Sequence, residues 1–242
     1  MQLLVSVRNA SEAVAAVEGG ADIVDAKEPD AGALGAVSLD VFRAIHGAAA
    51  TRLVSAAIGD ASDEAAIERL AFAYAAAEAA FVKVGFAGVA THARVTALAD
   101  AARRGAHAGG HAAVVLVAYA DETSGVSPSA LIDIAARSGA RGVLLDTADK
   151  HGAGLPTLVD HRSLAAWISI AHDSGLFVAL AGRLGPGDVP FARDAGADVV
   201  GVRGAACEGG RTGHVTGERV RALRAMCGTA APAYNAERTA AI

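Results

Sequence analysis

Short apolar runs punctuate the chain at regular intervals. The first half holds LLVSV at 3–7, DIVDAK at 22–27, RLVSAAI at 52–58 and FVKVGF at 81–86; the second holds AAVVLVAYA at 112–120, GVLLDTA at 142–148, LFVALAG at 176–182 and DVVGVRG at 198–204. Their near-continuous Val, Leu, Ile and Ala content lacks the polar alternation of a half-solvated strand and predicts eight parallel strands buried on both faces. Between them, segments such as SEAVAAVEGG at 11–20 and DEAAIERLAFAYAAAEAA at 63–80 space their apolar residues by three and four, which predicts amphipathic helices. EGGADIV, RSGARGV, HDSGLFV and DAGADVV repeat one junction, a helix that stops at Gly just before a strand begins. Glycine suits that place because the position past a helix end commonly takes a positive φ. Pro128 after Ser127 and Pro186 after Gly185 suit a first helical turn, where a missing N–H costs little.

A strict alternation of strand and helix with a period of about 30 residues implies right-handed crossovers, in a closed eight-stranded barrel or an open doubly wound sheet. An open sheet would announce a nucleotide with a glycine-rich first turn, and the first turn here, SVRNASEA, has no glycine. The expected fold is therefore a single (β/α)8 TIM barrel over residues 1–230, with residues 231–242 a loosely held C-terminal tail.

Composition narrows the partners. Hydrophobic residues make up 53% of the chain and aromatic residues only 4%, so a large core can be packed from small aliphatic side chains. A net charge of −5 without a basic run argues against nucleic acid. No apolar stretch reaches the ~18 residues of a membrane span. Cys207 and Cys227 lack CxxC spacing, and MQLLVSVRNA reads as a strand rather than a signal peptide, which together favour a reducing cytoplasm. The histidines show no metal-ligand spacing and read as surface or loop residues. Small molecules are the expected partners; the oligomeric state stays open, a homo-oligomer included.

The basic residues carry the chemical signal, with 18 Arg against three Lys, namely Lys27, Lys83 and Lys150. All three end or follow a proposed strand, where barrel enzymes build their active sites. Lysine can lose its proton when desolvated and attack an aldehyde to form an imine, whereas arginine stays protonated. Asp25 and Lys27, two apart, face one side of the second strand; Lys83 is a lone charge within FVKVG; Asp146 ends the sixth strand with Lys150 in the loop beyond. Structural ion pairing between these lysines and carboxylates is the bland alternative, and chance placement another. After the seventh and eighth strands, AGRLGPGD and GVRGAACEGG offer glycine-rich turns whose N–H groups suit a phosphate, with Gly182, Arg183, Arg203 and Gly204 as candidates, unless these are turns alone. Cys207 reads as a small buried residue, since no paired His is evident.

In order along the chain, LLVS, EGGADIVDAKEP, GALGA, LVSAAIGD, FVKVG, LLDTADK, LAG and DVVGVRGAAC resemble the (5-formylfuran-3-yl)methyl phosphate synthase family from about residue 3 to about residue 208. The resemblance implies a class I aldolase-like barrel that joins two glyceraldehyde 3-phosphate molecules into a phosphorylated furan aldehyde, a methanofuran precursor, without metal or cofactor. It places the Schiff-base lysine on Lys27 and the proton-transferring lysine on Lys83, with Asp25, Asp146 and Lys150 as supporting charges. The loop HGAGLPTLVDH after Lys150 departs from the pattern. Two other readings stay open: a different Schiff-base aldolase acting on a phosphorylated aldehyde, and a non-catalytic barrel subunit.

Overall fold

The computed structural model describes residues 1–122 and 125–228. The proposed tail, 231–242, lies outside the described residues. Eight strands, β1 (Gln2–Val7), β2 (Ile23–Ala26), β3 (Leu53–Asp60), β4 (Phe81–Gly85), β5 (Ala113–Tyr119), β6 (Gly142–Asp146), β7 (Phe177–Leu180) and β8 (Val199–Val202), pair in parallel and in chain order. β8 returns to β1 through Gln2 opposite Val199 and Val5 opposite Val202, which closes the sheet into a barrel. The helices α1 (Ala10–Glu18), α2 (Leu39–Ala48), α3 (Glu64–Ala76), α4 (His92–Gly109), α5 (Pro128–Ser138), α6 (Leu155–Leu158), α7 (His161–Asp173), α8 (Val189–Asp194) and α9 (Gly217–Met226) follow the strands in turn, with α6 and α7 both after β6. A two-stranded antiparallel hairpin, β9 (Cys207–Glu208) and β10 (His214–Val215), follows β8.

Local chemistry accounts for the boundaries. Asn9, Ser38, Asp63, Thr91, Ser127 and Asp160 cap the helices that follow them, each accepting a backbone N–H from the first turn. The four junction glycines, Gly20, Gly139, Gly175 and Gly196, all hold positive φ. Among the described residues, no helix is long and apolar enough to cross a membrane.

Strand parity sorts the side chains into two cores. Val5, Val24, Val54, Val82 and Val143 point outward against the helices, while Leu4, Ile23, Phe81, Val115 and Leu144 fill the barrel. Phe81 and Phe177 meet edge to face within the barrel, ring centres 5.7 Å apart. Closer to the C-terminal ends of the strands, the inward positions turn polar. Register sets Ser6 beside Asp25 and Asp25 beside Ser55, so three polar side chains stand level across β1, β2 and β3. Lys83 and Asp146 belong to the same end of the barrel.

Candidate active site

The barrel mouth opens into a cavity of about 340 Å³, within the range of small-molecule sites. Lys27, Lys83, Asp146 and Lys150 line it. Asp25 sits beneath Lys83, fully buried, with its Oδ2 2.6 Å from Lys83 Nζ. Ser6 Oγ donates to the same carboxylate at 2.9 Å and Ser55 Oγ at 2.7 Å. A carboxylate with three such partners is fixed in place, and it sets a counter-charge against Lys83 where water cannot. Across the mouth, Lys150 Nζ donates to Asp146 Oδ1 at 2.7 Å and to the Thr147 carbonyl, and the Thr147 N–H donates to Asp146 Oδ1 at 2.8 Å. The Lys150 ammonium holds the Asp146 carboxyl below its usual range against the opposing effect of burial.

Lys27 is different. It is buried at 8% exposure, its backbone N–H donates to the Val7 carbonyl, and among the described residues no carboxylate lies within ion-pair distance of its amine. Burial pushes its pKa down from 10.5 to about 8; Asp146 opposes that shift, while the Lys150 and Lys83 ammonium groups reinforce it. The three lysines that the sequence singles out are thus unequal. Two are paired, and the third is desolvated and unpaired between two cations.

The upper wall comes from the loops after β7 and β8. Gly182 has φ of +102° and Arg183 a left-handed φ of +57°, the latter rare for a residue with a side chain. Gly182 is pinned by its carbonyl, which accepts the Leu155 N–H at 2.9 Å. Gly204 opens a 3-10 turn, Gly204–Ala206, and the first N–H groups of such a turn lack partners within it. Gly182, Arg183, Arg203 and Gly204 all line the cavity. The Arg203 guanidinium, however, is committed to the protein. Its Nε donates to the Arg211 carbonyl at 2.7 Å, Nη1 to Ser6 O and Glu12 Oε2 at 2.9 and 2.8 Å, and Nη2 to Glu12 Oε1 and Gly213 O at 3.3 and 3.2 Å. Those bonds use all five of its N–H groups, and the Glu12 pair is buried on both sides. The five Arg203 donors are thus occupied within the protein, while the backbone around residue 204 faces the cavity.

Ser6, Ser55 and Thr147 were not singled out from sequence. The signal for both serines was present, as each is the polar residue that interrupts an apolar run, LLVSV at 3–7 and LVSAAI at 53–58, at an inward position. Glu12 and Arg211 carried no comparable signal, because their partners are 191 residues away in one case and loop carbonyls in the other. Cys207 is buried, and burial pushes its thiol pKa up, which suits a packing role. Among the described residues, no group of three or more His, Cys, Asp or Glu side chains is placed to hold a metal ion.

Comparison with known proteins agrees with this barrel and adds the family. The family model described as 4-HFC-P synthase matches residues 3–224. (5-Formylfuran-3-yl)methyl phosphate synthase of Methanosarcina barkeri is 37% identical over 235 residues, covering 94% of this chain and 99% of the relative. The putative (5-formylfuran-3-yl)methyl phosphate synthase of Streptomyces griseus is 38% identical over 245 residues, covering 98% of each. Among solved structures, phosphoribosyl anthranilate isomerase from Thermus thermophilus has a TM-score of 0.65 at 16% identity, covering 93% of this chain and 98% of that one. A 3-hexulose-6-phosphate synthase has a TM-score of 0.60 at 21% identity, covering 93% and 99%. The two structural likenesses concern the barrel fold; the sequence matches, which run nearly end to end, show that the chain is an enzyme of the (5-formylfuran-3-yl)methyl phosphate synthase family.

Proposed function

We propose that the enzyme condenses two molecules of glyceraldehyde 3-phosphate into (5-formylfuran-3-yl)methyl phosphate through an imine on Lys27, in the cytoplasm and as a step towards methanofuran or an analogue. The observation that carries this reading is the asymmetry of the lysines: Lys27 alone lacks a carboxylate partner, and its pKa near 8 leaves about a tenth of it neutral at pH 7, against fewer than about one in a thousand at the ordinary value. The neutral amine attacks the aldehyde carbon and the carbinolamine loses water. The resulting iminium draws electrons from the adjacent carbon and acidifies its proton.

Proton transfer falls to the two ion pairs. Asp146, which interacts with Lys27 and is bonded to Lys150, is placed to take up and return protons during imine formation. Lys83, backed by Asp25, serves the carbon proton from the opposite wall. The enamine attacks the second aldehyde, and loss of phosphate and water drives ring closure. No step needs a metal or an organic cofactor, because the iminium is the electron sink. The backbone around Gly182 and Gly204 cradles a substrate phosphate.

Borohydride reduction in the presence of glyceraldehyde 3-phosphate, followed by peptide mass spectrometry, tests the nucleophile; ultraviolet absorbance of the unreduced reaction tests the product. An adduct on Lys27 and a furan chromophore are expected. An adduct on Lys83 or Lys150 would reassign the nucleophile, and no furan from this single substrate would point to a different Schiff-base aldolase.

A further inference from the structure

Three arginines line the cavity, Arg183, Arg203 and Arg211. The Arg203 guanidinium is saturated and charge-balanced by Glu12, and Arg183 is exposed at the rim. Arg211 sits between β9 and β10, half-buried, and reaches across the mouth to the loop that follows Lys27: its Nη1 donates to the Pro29 carbonyl and its Nη2 to the Gly32 carbonyl at 2.8 Å. Those neutral acceptors occupy two of its five N–H groups and leave three without a protein acceptor among the described residues. No carboxylate there lies within ion-pair distance of it, although Asp146, Asp30 and Glu28 act on it from further away.

We infer that Arg211 is the side-chain ligand of a substrate phosphate, closing over an anion whose other oxygens meet the backbone N–H groups around Gly204, and that Arg203 positions it without touching the ligand. The inference rests on reading the cavity as a phosphorylated-aldehyde site. Four observations support it. Arg211 brings an unneutralised cation to the cavity wall, and burial together with the Arg203 charge lowers its pKa, so an anion there relieves an existing electrostatic cost. Its backbone lies beside Gly204, where a Cβ would stand 3.6 Å from the Arg211 backbone nitrogen, and the two residues line the same cavity. Its three unclaimed donors allow a phosphate to bind without breaking the bonds to Pro29 and Gly32. Finally, Arg203 donates to the carbonyls of both Arg211 and Gly213, which fixes the hairpin that carries Arg211 to the buried Glu12 on α1. At Gly213 a Cβ would fall 1.8 Å from the Glu208 carbonyl oxygen, so the hairpin tolerates only this tight path.

The test uses inorganic phosphate as the probe, titrated calorimetrically into the full-length enzyme. Wild type is expected to bind it saturably, Arg211→Gln at least tenfold more weakly with a near-normal melting temperature, and Arg211→Lys in between. Equal affinity in wild type and Arg211→Gln overturns the inference, as does wild type that fails to bind. Should Arg211→Gln fail to fold, Arg211→Lys carries the comparison, and an undiminished affinity in it overturns the inference in the same way. Phosphate is not an aldehyde, so this arm is blind to the Schiff base. Borohydride trapping of unphosphorylated glyceraldehyde on Lys27 is read separately and is expected to persist in Arg211→Gln. If it falls as far as phosphate affinity does, Arg211 merely braces the loop after Lys27 and the inference fails; if wild type traps no aldehyde at all, the Schiff-base reading fails while the phosphate result still judges Arg211.

Discussion

Replacing Lys27 by Met is expected to make the protein more stable at neutral pH. The amine titrates near 8 in the folded barrel and near 10.5 in an unfolded chain. Below pH 8 both states hold the proton, and the folded state holds it at a site that disfavours it by about 3–4 kcal/mol, since each tenfold change in proton affinity is worth ~1.4 kcal/mol. Between pH 8 and 10.5 the unfolded chain binds more protons than the folded one, so this residue's contribution to stability improves as pH rises through that window. Methionine has a similar length and no charge, and its thioether adapts to irregular space. The variant should therefore exceed wild type by about 3–4 kcal/mol at pH 7, and the gap should narrow by pH 10. Urea unfolding followed by circular dichroism at both pH values measures the gap, and titrations common to the two proteins cancel in the difference. A variant less stable than wild type at pH 7, or a gap that ignores pH, would refute the claim that Lys27 is a desolvated, destabilising cation. The same pKa predicts that imine trapping in wild type rises with pH through an inflection near 8 rather than 10.5.

Three further outcomes follow from the paired and unpaired groups. Lys27→Arg should abolish both the borohydride adduct and furan formation, because a guanidinium stays protonated; appreciable turnover by the purified variant would sink the imine. Lys83→Arg keeps a cation against the buried Asp25 and should still allow trapping on Lys27 while nearly eliminating furan absorbance; normal product yield would remove Lys83 from proton transfer. Arg203→Ala leaves Glu12 buried without its partner and frees the hairpin, so it should cost ~3–5 kcal/mol of stability; a melting temperature equal to wild type would contradict the structural role of the pair.

The barrel was legible because its signals are local and repeated. Eight apolar runs, glycine-terminated helices and side-chain caps each act within a few residues, so strands such as β4 differ from their expected span by a single residue. The positions of Lys27, Lys83 and Asp146 at the mouth follow from strand parity, which is also local. Which partner each charge takes was not legible. Asp25 lies two residues from Lys27 on the same face, yet it pairs with Lys83, because β-sheet register brings Ser6 and Ser55 level with it and β4 supplies the amine. The role of Arg203 was hidden for the same reason. A strand-end arginine beside glycines looks like a phosphate ligand until a glutamate 191 residues earlier claims its guanidinium.

Those pairings also explain how a chain of net charge −5 can present a site for anions. Asp25 offsets Lys83, Asp146 offsets Lys150, and Glu12 offsets Arg203, each at 2.8 Å or less. What remains unbalanced at the cavity wall is Lys27, Arg183 and Arg211. The excess positive charge is therefore concentrated where the barrel is concave and water is scarce, a geometry that focuses the field on an incoming phosphate while the outer surface stays acidic. The ammonium groups that help burial to lower the Lys27 pKa are instead Lys150 and Lys83, each held against its own carboxylate. Anion capture thus draws on the unpaired arginines and amine activation on burial and the paired lysines, within one cavity. A phosphate bound in that cavity attracts the protonated amine, so saturating inorganic phosphate should move the trapping inflection of Lys27 upward from about 8, and an inflection that stays put would separate the two functions.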